Sequence, residues 1–508
     1  MAYSRPGVYI SERLLPATIA GGVSANAAGA VVAPFAQGPE SPTLVTSWYE
    51  FVKTFGGYNA AYPATFQVSS FFSNGGRDLY VQRVLAANAV NASFDLLTSS
   101  DATVATFTSK NAGTDGNNLR VKVEAGYVSS HYNVTVYKEA GVTDVVVSGA
   151  VTTGGSDDIL LERYENVVFD DALSSDFAET VINTVSSYIT VSDSAAGVPV
   201  LAMYPLTSGA NGTAVAATDY TAYKGGSTSV FENFSTLNRP LVIFLPGVNL
   251  IANAKNAYDA ATAWSTNNNG FVVVETPANT SVADAISYAG ALVDTSVAAV
   301  YYPHLYVGDP IGRGAGALRK IGPSGAVAGL YLATDAAKGP FKAPAGLGAT
   351  IKGVVAVETA LTSKNLDDMN SSTSPVNPIR QIPGAGLAIM GARTLLQDGT
   401  ANKYVNMRRS LIFIKKRLKD ITEFAIFENN DAALWARLNT SINVFLNEYL
   451  NQGGLAGGTP AQAYFIKVDA ENNTAQSIAN GEVHIQVGVA LQYPAEFIVI
   501  DLSQKTLV

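Results

Sequence analysis

The sequence predicts an α/β multidomain protein, and three stretches carry that expectation. Between residues 239 and 307 the apolar runs RPLVIFLPG, GFVVVETP and VAAVYYPHLYV alternate with helical segments, the pattern of parallel strands covered by helices. Residues 94–200 read instead as short strands of alternating polarity, clearest in LRVKVEA and YNVTVYK, with turn residues clustered from Gly113 to Asn118. That texture predicts a β-sandwich inserted between α/β parts. From Asn430 onward come a helix, a glycine hinge and two strands, an α+β arrangement with extended ends.

Taken in order, residues 1–22 form an N-terminal arm. Its short strand, Val8, Tyr9 and Ile10, follows Pro6-Gly7 and is cut off by Pro16 and the flexible Ala20-Gly21-Gly22, so it is too isolated to be a core element. Residues 23–93 hold a buried strand (AGAVVA), a proline-rich loop, a helix around Tyr49 to Phe55 stopped by Gly56-Gly57, a further helix and the strand DLYVQRV. This α/β segment is expected to pack with the central domain. The insertion occupies 94–200 and the central domain 201–372, with a loop-rich Gly/Thr/Ala stretch to about 228. The segment SSTSPVNPIRQIPG reads as a linker into a C-terminal domain at 373–494. There NDAALWARLNTSINVFLNEYL places Leu434, Leu438, Ile442, Phe445 and Tyr449 on one helical face, and Gly453-Gly454 stops it. GEVHIQVGVAL then alternates strictly, with Val483, Ile485, Val487, Val489 and Leu491 to one side, a half-buried strand. After the break at Tyr493 to Glu496, the arm 495–508 carries Phe497, Ile498, Val499 and Ile500 in a second apolar strand.

Composition fits a polymer subunit. Only 14% of the 508 residues are charged, against roughly a quarter in ordinary soluble domains, so neighbours are expected to cover much of the surface. The chain has no cysteine, which leaves no disulfide framework and no thiolate metal site. There is no basic-then-apolar leader and no apolar run near the roughly 18 residues of a membrane span, so folding in a cytoplasm is expected and membrane insertion is not. The net charge of −9 argues against nucleic acid as a partner. It is also unevenly spread, with fifteen acids and five bases in 94–200 but eight bases and one acid in 393–419. The two regions face different things.

Three candidate chemistries were weighed. Gly322-Pro323-Ser324-Gly325 echoes a serine-protease nucleophile turn, but a triad needs a base and a carboxylate in register. The three histidines, His131, His304 and His484, stand in no such setting, so Ser324 reads as a helix N-cap and Gly325 as a close-packing position. The glycines at 312, 314 and 316 and at 384, 386 and 391 lack dinucleotide or phosphate-loop spacing. The adjacent acids Asp170-Asp171 and Asp367-Asp368 lack the spacing of calcium loops and read as solvated. No catalytic residue, metal or cofactor is expected. One basic constellation stands out: in KYVNMRRSLIFIKKRLKD, Met407, Leu411, Ile414 and Leu418 form one helical stripe, with Arg408, Arg409, Lys415, Lys416 and Lys419 on its flank. An amphipathic helix with a solvated face is the plain reading, and an acidic neighbour the alternative.

The order of PGVY-x-x-E, FGG and YVQRV near the start, AAVYYPHLYVGDP and IGPSGAVAGLYLATDAAKGPFKAPAG in the centre, and LW-x-R-x-N, QGGLAGGTPAQAYFIKVD and PAEFIVID at the end closely resembles contractile bacteriophage tail sheath proteins. The resemblance covers nearly the whole chain and is weakest at 200–228. It implies a central domain of subtilisin-like topology and a non-enzymatic subunit that polymerises in stacked six-membered rings around a tail tube. Further implied partners are baseplate and tail terminator proteins at the ends, and the implied location is the virion tail. It further implies strand exchange between subunits through Val8, Tyr9, Ile10, Phe497, Ile498, Val499 and Ile500, and makes the basic helix a candidate tube-facing surface. The sheath of a tailocin or related injection particle is the nearest alternative. From other classes, a serine hydrolase on the central domain and an adhesin built on the insertion remain.

Overall fold

The computed structural model describes residues 27–139, 145–147, 150–153, 158–193, 197–314, 316–371, 373–396, 398 and 400–496. Both arms expected to exchange strands, with Val8 to Ile10 and Phe497 to Ile500, lie outside the described residues. The chain opens with β1 (Ala28–Ala33), β2 (Thr43–Val45), α1 (Trp48–Phe55), α2 (Ala64–Ser73) and β3 (Leu79–Arg83). β1 is buried at all six positions, as an unbroken apolar run between two parallel neighbours should be. α1 starts where the Ser47 hydroxyl accepts the Glu50 N–H and the Glu50 carboxylate accepts the Thr46 N–H. It ends at Gly56, whose φ of 93° suits glycine.

Two antiparallel sheets follow, built from β4 (Asn91–Leu97), β5 (Thr103–Ala112), β6 (Leu119–Ala125), β7 (Tyr132–Lys138), a separate hairpin β8 (Val145–Val147) and β9 (Ala150–Thr153), β10 (Ile159–Val167), α3 (Ala178–Val185), β11 (Ile189–Asp193) and β12 (Met203–Pro205). The orders are β10-β7-β6-β12 and β11-β5-β4, and their inner faces share one apolar core. Phe94 stacks on Phe107 at 5.1 Å and on Tyr204 at 5.0 Å, so residues from both sheets meet across it. Pairing begins at Val90 opposite Ala210, which makes this module wider than the 94–200 read from the sequence. The strand β12 had been hidden in a stretch that reads as loop because Pro205 closes it after three residues.

At the base of this module lies Arg83, fully buried. Its guanidinium donates to the carbonyls of Phe35 (3.0 Å), Ala36 (3.2 Å), Gly38 (3.1 Å) and Ala112 (2.8 Å). Burial lowers its pKa, yet four carbonyls satisfy the planar donor fork. The loop after β1 is thereby tied to the end of β5.

The chain then returns to the main sheet through α4 (Ala217–Thr221), β13 (Leu241–Phe244), α5 (Ala254–Asn268), β14 (Gly270–Glu275), α6 (Val282–Ala291), β15 (Ala298–Tyr302), a small sheet of β16 (Leu305–Gly308), β17 (Leu318–Ile321) and β18 (Val354–Val357), α7 (Ser324–Lys338), α8 (Ser363–Ser371), β19 (Val376–Ile382) and β20 (Gly386–Ile389). The main sheet has eight strands in the order β2-β3-β1-β13-β14-β15-β19-β20, parallel from β3 to β19 with an antiparallel strand at each edge. One core lies under α1, α2 and α7, the other under α5 and α6. α7 approaches α2 closely because a Cβ on Gly325 or Gly329 would fall 2.2 Å or 2.3 Å from the carbonyls of Gln67 and Phe71.

Here the sequence-based boundary at 373 needs correcting. The supposed linker is β19, in parallel register with β15 from Val300 opposite Val376 to Tyr302 opposite Pro378. Pro378 sits where β19 passes from β15 to β20, and its missing N–H is tolerated there. The C-terminal unit therefore begins at α9 (Val405–Thr422) and continues with α10 (Ala432–Asn451), α11 (Pro460–Ala463), β21 (Tyr464–Lys467), α12 (Ala475–Ala479) and β22 (Gln486–Val489). α10 buries the expected Leu434, Leu438, Ile442, Phe445 and Tyr449 and is capped by the Asp431 carboxylate on the Leu434 N–H at 2.9 Å. Of the alternating run 483–491, Gln486–Val489 pairs with β21, while Ile485, Val487, Val489 and Leu491 pack on the local core. Among the described residues no helix is long and apolar enough to cross a membrane.

Candidate functional site

The serine turn is a packed node. Ser324 is fully buried, and its Oγ lies 2.7 Å from both Gln67 Oε1 and Glu275 Oε2. Glu275 Oε1 in turn accepts from Gln67 Nε2 at 3.2 Å and from the Gly247 N–H at 3.3 Å. Ser324 is not the N-cap expected from the sequence: Pro323 holds that position and makes no capping bond. A Cβ on Gly322 would meet Glu275 Oε2 at 2.0 Å, so this turn packs directly on the carboxylate that the hydroxyl bonds. The three histidines serve elsewhere, with His304 Nε2 2.6 Å from the Thr276 carbonyl, His131 Nδ1 3.0 Å from the Ser129 carbonyl and His484 paired with Glu482. Ser324→Ala removes a hydrogen bond to a buried carboxylate, and an unfolding midpoint in denaturant should report a loss of about 1.5–3 kcal/mol. Assembly of the folded protein is expected to survive; a folded variant unable to assemble would reopen a functional role for the hydroxyl.

The basic helix also departs from expectation. Its stripe is as read, with Met407 and Ile414 buried and Leu411 and Leu418 half-buried. The five bases, however, do not share a solvated flank. Arg409 is 5% exposed and grips Asp335 of α7, itself 0% exposed, through both guanidinium ends, one at 2.8 Å. The same guanidinium lies 4.7 Å from the Tyr331 ring centroid. Lys416 is buried and pairs with Asp420 one turn on. Arg408 is half-buried, its pKa lowered by burial, with an Nε that has no partner among the described residues. Only Lys415 and Lys419 are exposed. The physical reason is that α9 is covered from two sides: Phe413 packs on Phe445 and Tyr449 of α10, and Asn406 donates to the Phe341 carbonyl on the other side at 3.0 Å.

What the C-terminal unit does expose is of two kinds. The turn between α9 and α10 carries Phe424, Ile426 and Phe427, the last fully exposed at a φ of 66°; sequence reasoning passed over EFAIF because so short an apolar run has no period. Second, β21 and β22 form a sheet of two strands, and each has one edge without a partner among the described residues. Such an edge is a template for another strand. Close by, a groove of about 640 Å³ runs between Phe341, Leu366, Pro378 and Met390 on one wall and Gln492 to Glu496 on the other. Within it the Arg380 Nε and the Asn406 Oδ1 are buried without partners among the described residues.

Residues 397–505 match the family described as the phage tail sheath C-terminal domain. The tail sheath protein of Vibrio phage KVP40 is 26% identical over 179 residues, which cover 35% of this chain and 26% of that protein. The match thus spans about a quarter of that relative's length. Among solved structures, the sheath tail protein of Listeria innocua superposes with a TM-score of 0.61 at 14% identity, covering 91% of this chain and 94% of that one. The sheath of the anti-feeding prophage in its contracted state gives 0.57 at 21% identity over 99% and 100%. At these identities the likeness is one of fold. Residues 397–505 thus match a tail sheath C-terminal domain, and the fold resembles that of the solved sheath proteins over 91–99% of the chain.

Proposed function

We infer that this protein is a structural, non-enzymatic subunit of a contractile tail sheath, which polymerises helically around a tail tube and drives it through a host envelope by contracting. The observation that carries this reading is the two-stranded sheet with open edges in a domain of the sheath family. An edge strand satisfies its backbone by accepting a strand from another chain. The apolar ends of this sequence, Val8 to Ile10 and Phe497 to Ile500, supply strands of suitable composition. A mesh of continuous chains lets subunit bodies rotate while contacts persist, so contraction needs no nucleotide. Electron microscopy of purified protein tests the reading: hollow tubes support it, and a compact monomer with hydrolase activity overturns it. A tailocin sheath would look the same.

The parallel sheet with helices on both faces supports a subtilisin-like topology for the body. The acidic two-sheet module hangs on the body by its base at 90 and 210, which suits a place on the outside of the tube. Six-membered rings, the tail tube, and the baseplate and terminator proteins at the ends complete the assembly, which belongs to the virion tail and forms in the host cytoplasm. With Arg409 and Lys416 committed to internal pairs and Arg408 half-buried, Lys415 and Lys419 are the exposed bases of the five, free to face an acidic tube. Lys415→Glu with Lys419→Glu should weaken co-assembly with the tube protein while tube-free polymers persist. Raised salt should mimic part of that loss, since exposed charges are screened within about 10 Å at 0.1 M. Equal loss of tube-free polymers would assign this face to neighbouring sheath subunits.

A further inference from the structure

The last described residues lie against the body at one fork. Arg393 Nε stands 3.1 Å from Glu496 Oε1 and Nη2 2.6 Å from Glu496 Oε2, while Nη1 donates to the Asn370 carbonyl in α8 at 2.7 Å. The arginine is fixed in turn. Its backbone N–H donates to Asn377 Oδ1 on β19 at 2.7 Å, and the Asn377 amide donates to the carbonyls of Arg393 (2.8 Å) and Val300 on β15 (3.0 Å). Asn377 is 2% exposed, so this support belongs to the main sheet.

The stretch it holds has little else to hold it. Gln492 is tied by its amide to the Leu455 carbonyl at 2.9 Å and by its carbonyl to Asn406 at 3.2 Å. After it, Tyr493 is 66% exposed and meets the Tyr404 ring edge-on at 6.2 Å, Ala495 is exposed, and Glu496 makes the only side-chain hydrogen bonds from 493 to 496 among the described residues. A partly exposed ion pair contributes little to the stability of a subunit. A bidentate fork, however, sets direction as well as position, because the guanidinium and carboxylate planes must align. The apolar run beginning at Phe497 follows at once.

We propose that Arg393 is a positioning residue: its fork fixes the place and orientation of Glu496, and through it which neighbouring copy's sheet the apolar run from Phe497 can reach. This rests on the sheath reading above. Losing the fork leaves the subunit folded and its outgoing strand undirected, so a neighbour's sheet must capture it from a wider range of positions.

The absence of cysteine makes Ala495→Cys a unique attachment point for a fluorophore. In the labelled full-length protein, Arg393→Met and Glu496→Gln are expected to lower fluorescence anisotropy at 495 while far-ultraviolet circular dichroism and the melting curve stay as in the parent. Arg393→Lys, which keeps the charge and loses the fork, should fall between. In unlabelled protein the concentration needed for tube formation should rise by about fivefold or more in Arg393→Met, the factor that roughly 1 kcal/mol per contact implies. Unchanged anisotropy in Arg393→Met overturns the fork as an anchor. A freed tail with tubes forming at the parental concentration overturns its aiming role. Wild-type protein that forms no tube overturns the sheath reading and the aiming role with it, while anisotropy still tells whether the fork holds the tail.

Discussion

Asp335→Ala should destabilise the protein by about 3–5 kcal/mol, the usual cost of removing one partner of a buried ion pair. Among the described residues the carboxylate on α7 is the only charge that pairs with the Arg409 guanidinium, and both are withdrawn from water. The remaining arginine would keep only its contact with the Tyr331 ring. Replacing both partners, as in Asp335→Leu with Arg409→Met, should recover most of the loss, because the pair's own attraction scarcely exceeds the cost of burying it. Denaturant midpoints of the three proteins measure this, and a single variant within 1 kcal/mol of wild type would show that water reaches the arginine. The pH dependence has a definite sign. Burial pushes the Asp335 carboxyl up more than Arg409 pulls it down. The folded state therefore holds this proton more tightly than the unfolded chain, and the linked stability is fully present below the unfolded value and lost as pH rises through the folded one. The stability of wild type relative to Asp335→Asn should rise as pH falls through the folded value of that carboxyl.

That pair also marks where sequence reading stops. The apolar face of α10 and the runs that became β13, β14 and β15 were legible because a 3.6-residue period and unbroken apolar runs bounded by glycine and proline are local signals. Arg409 was not. It stands with Val405, Ile412 and Phe413 on a second buried face of α9, and a helix covered from two sides hides charges that one apolar stripe makes look solvated. Its partner lies 74 residues away, which no period reveals. β19 was missed for the opposite reason, since Pro378 is a strong local signal that tertiary pairing overrides. Ser324 was set apart from a triad by the settings of the histidines, and its partners, Gln67 and Glu275, are 257 and 49 residues distant. Glu496 shows no pattern at all before its fork with Arg393 is seen.

Removing residues 1–22, or everything beyond Glu496, should leave a folded subunit that builds no long sheath. The described body closes without either end: β1 begins at Ala28 already paired to β3 and β13, and every strand of the main sheet has its neighbours from within 28–389. In the C-terminal unit the sheet is open, since among the described residues β21 and β22 pair only with each other. An added strand along one four-residue edge can form about four backbone hydrogen bonds, each contributing about 0.5–1.5 kcal/mol net, or roughly 2–6 kcal/mol per edge. That corresponds to roughly 30-fold to 20,000-fold in association constant, at about tenfold for every 1.4 kcal/mol. Losing one arm therefore moves assembly out of the accessible concentration range, while far-ultraviolet circular dichroism and the melting curve stay near those of the full chain. Microscopy of each truncated protein, alone and mixed with the full-length chain, makes the comparison. Full-length tubes from either truncation would end the strand-exchange account. Unfolding on truncation would end it differently, by showing that the arms complete their own chain's sheet.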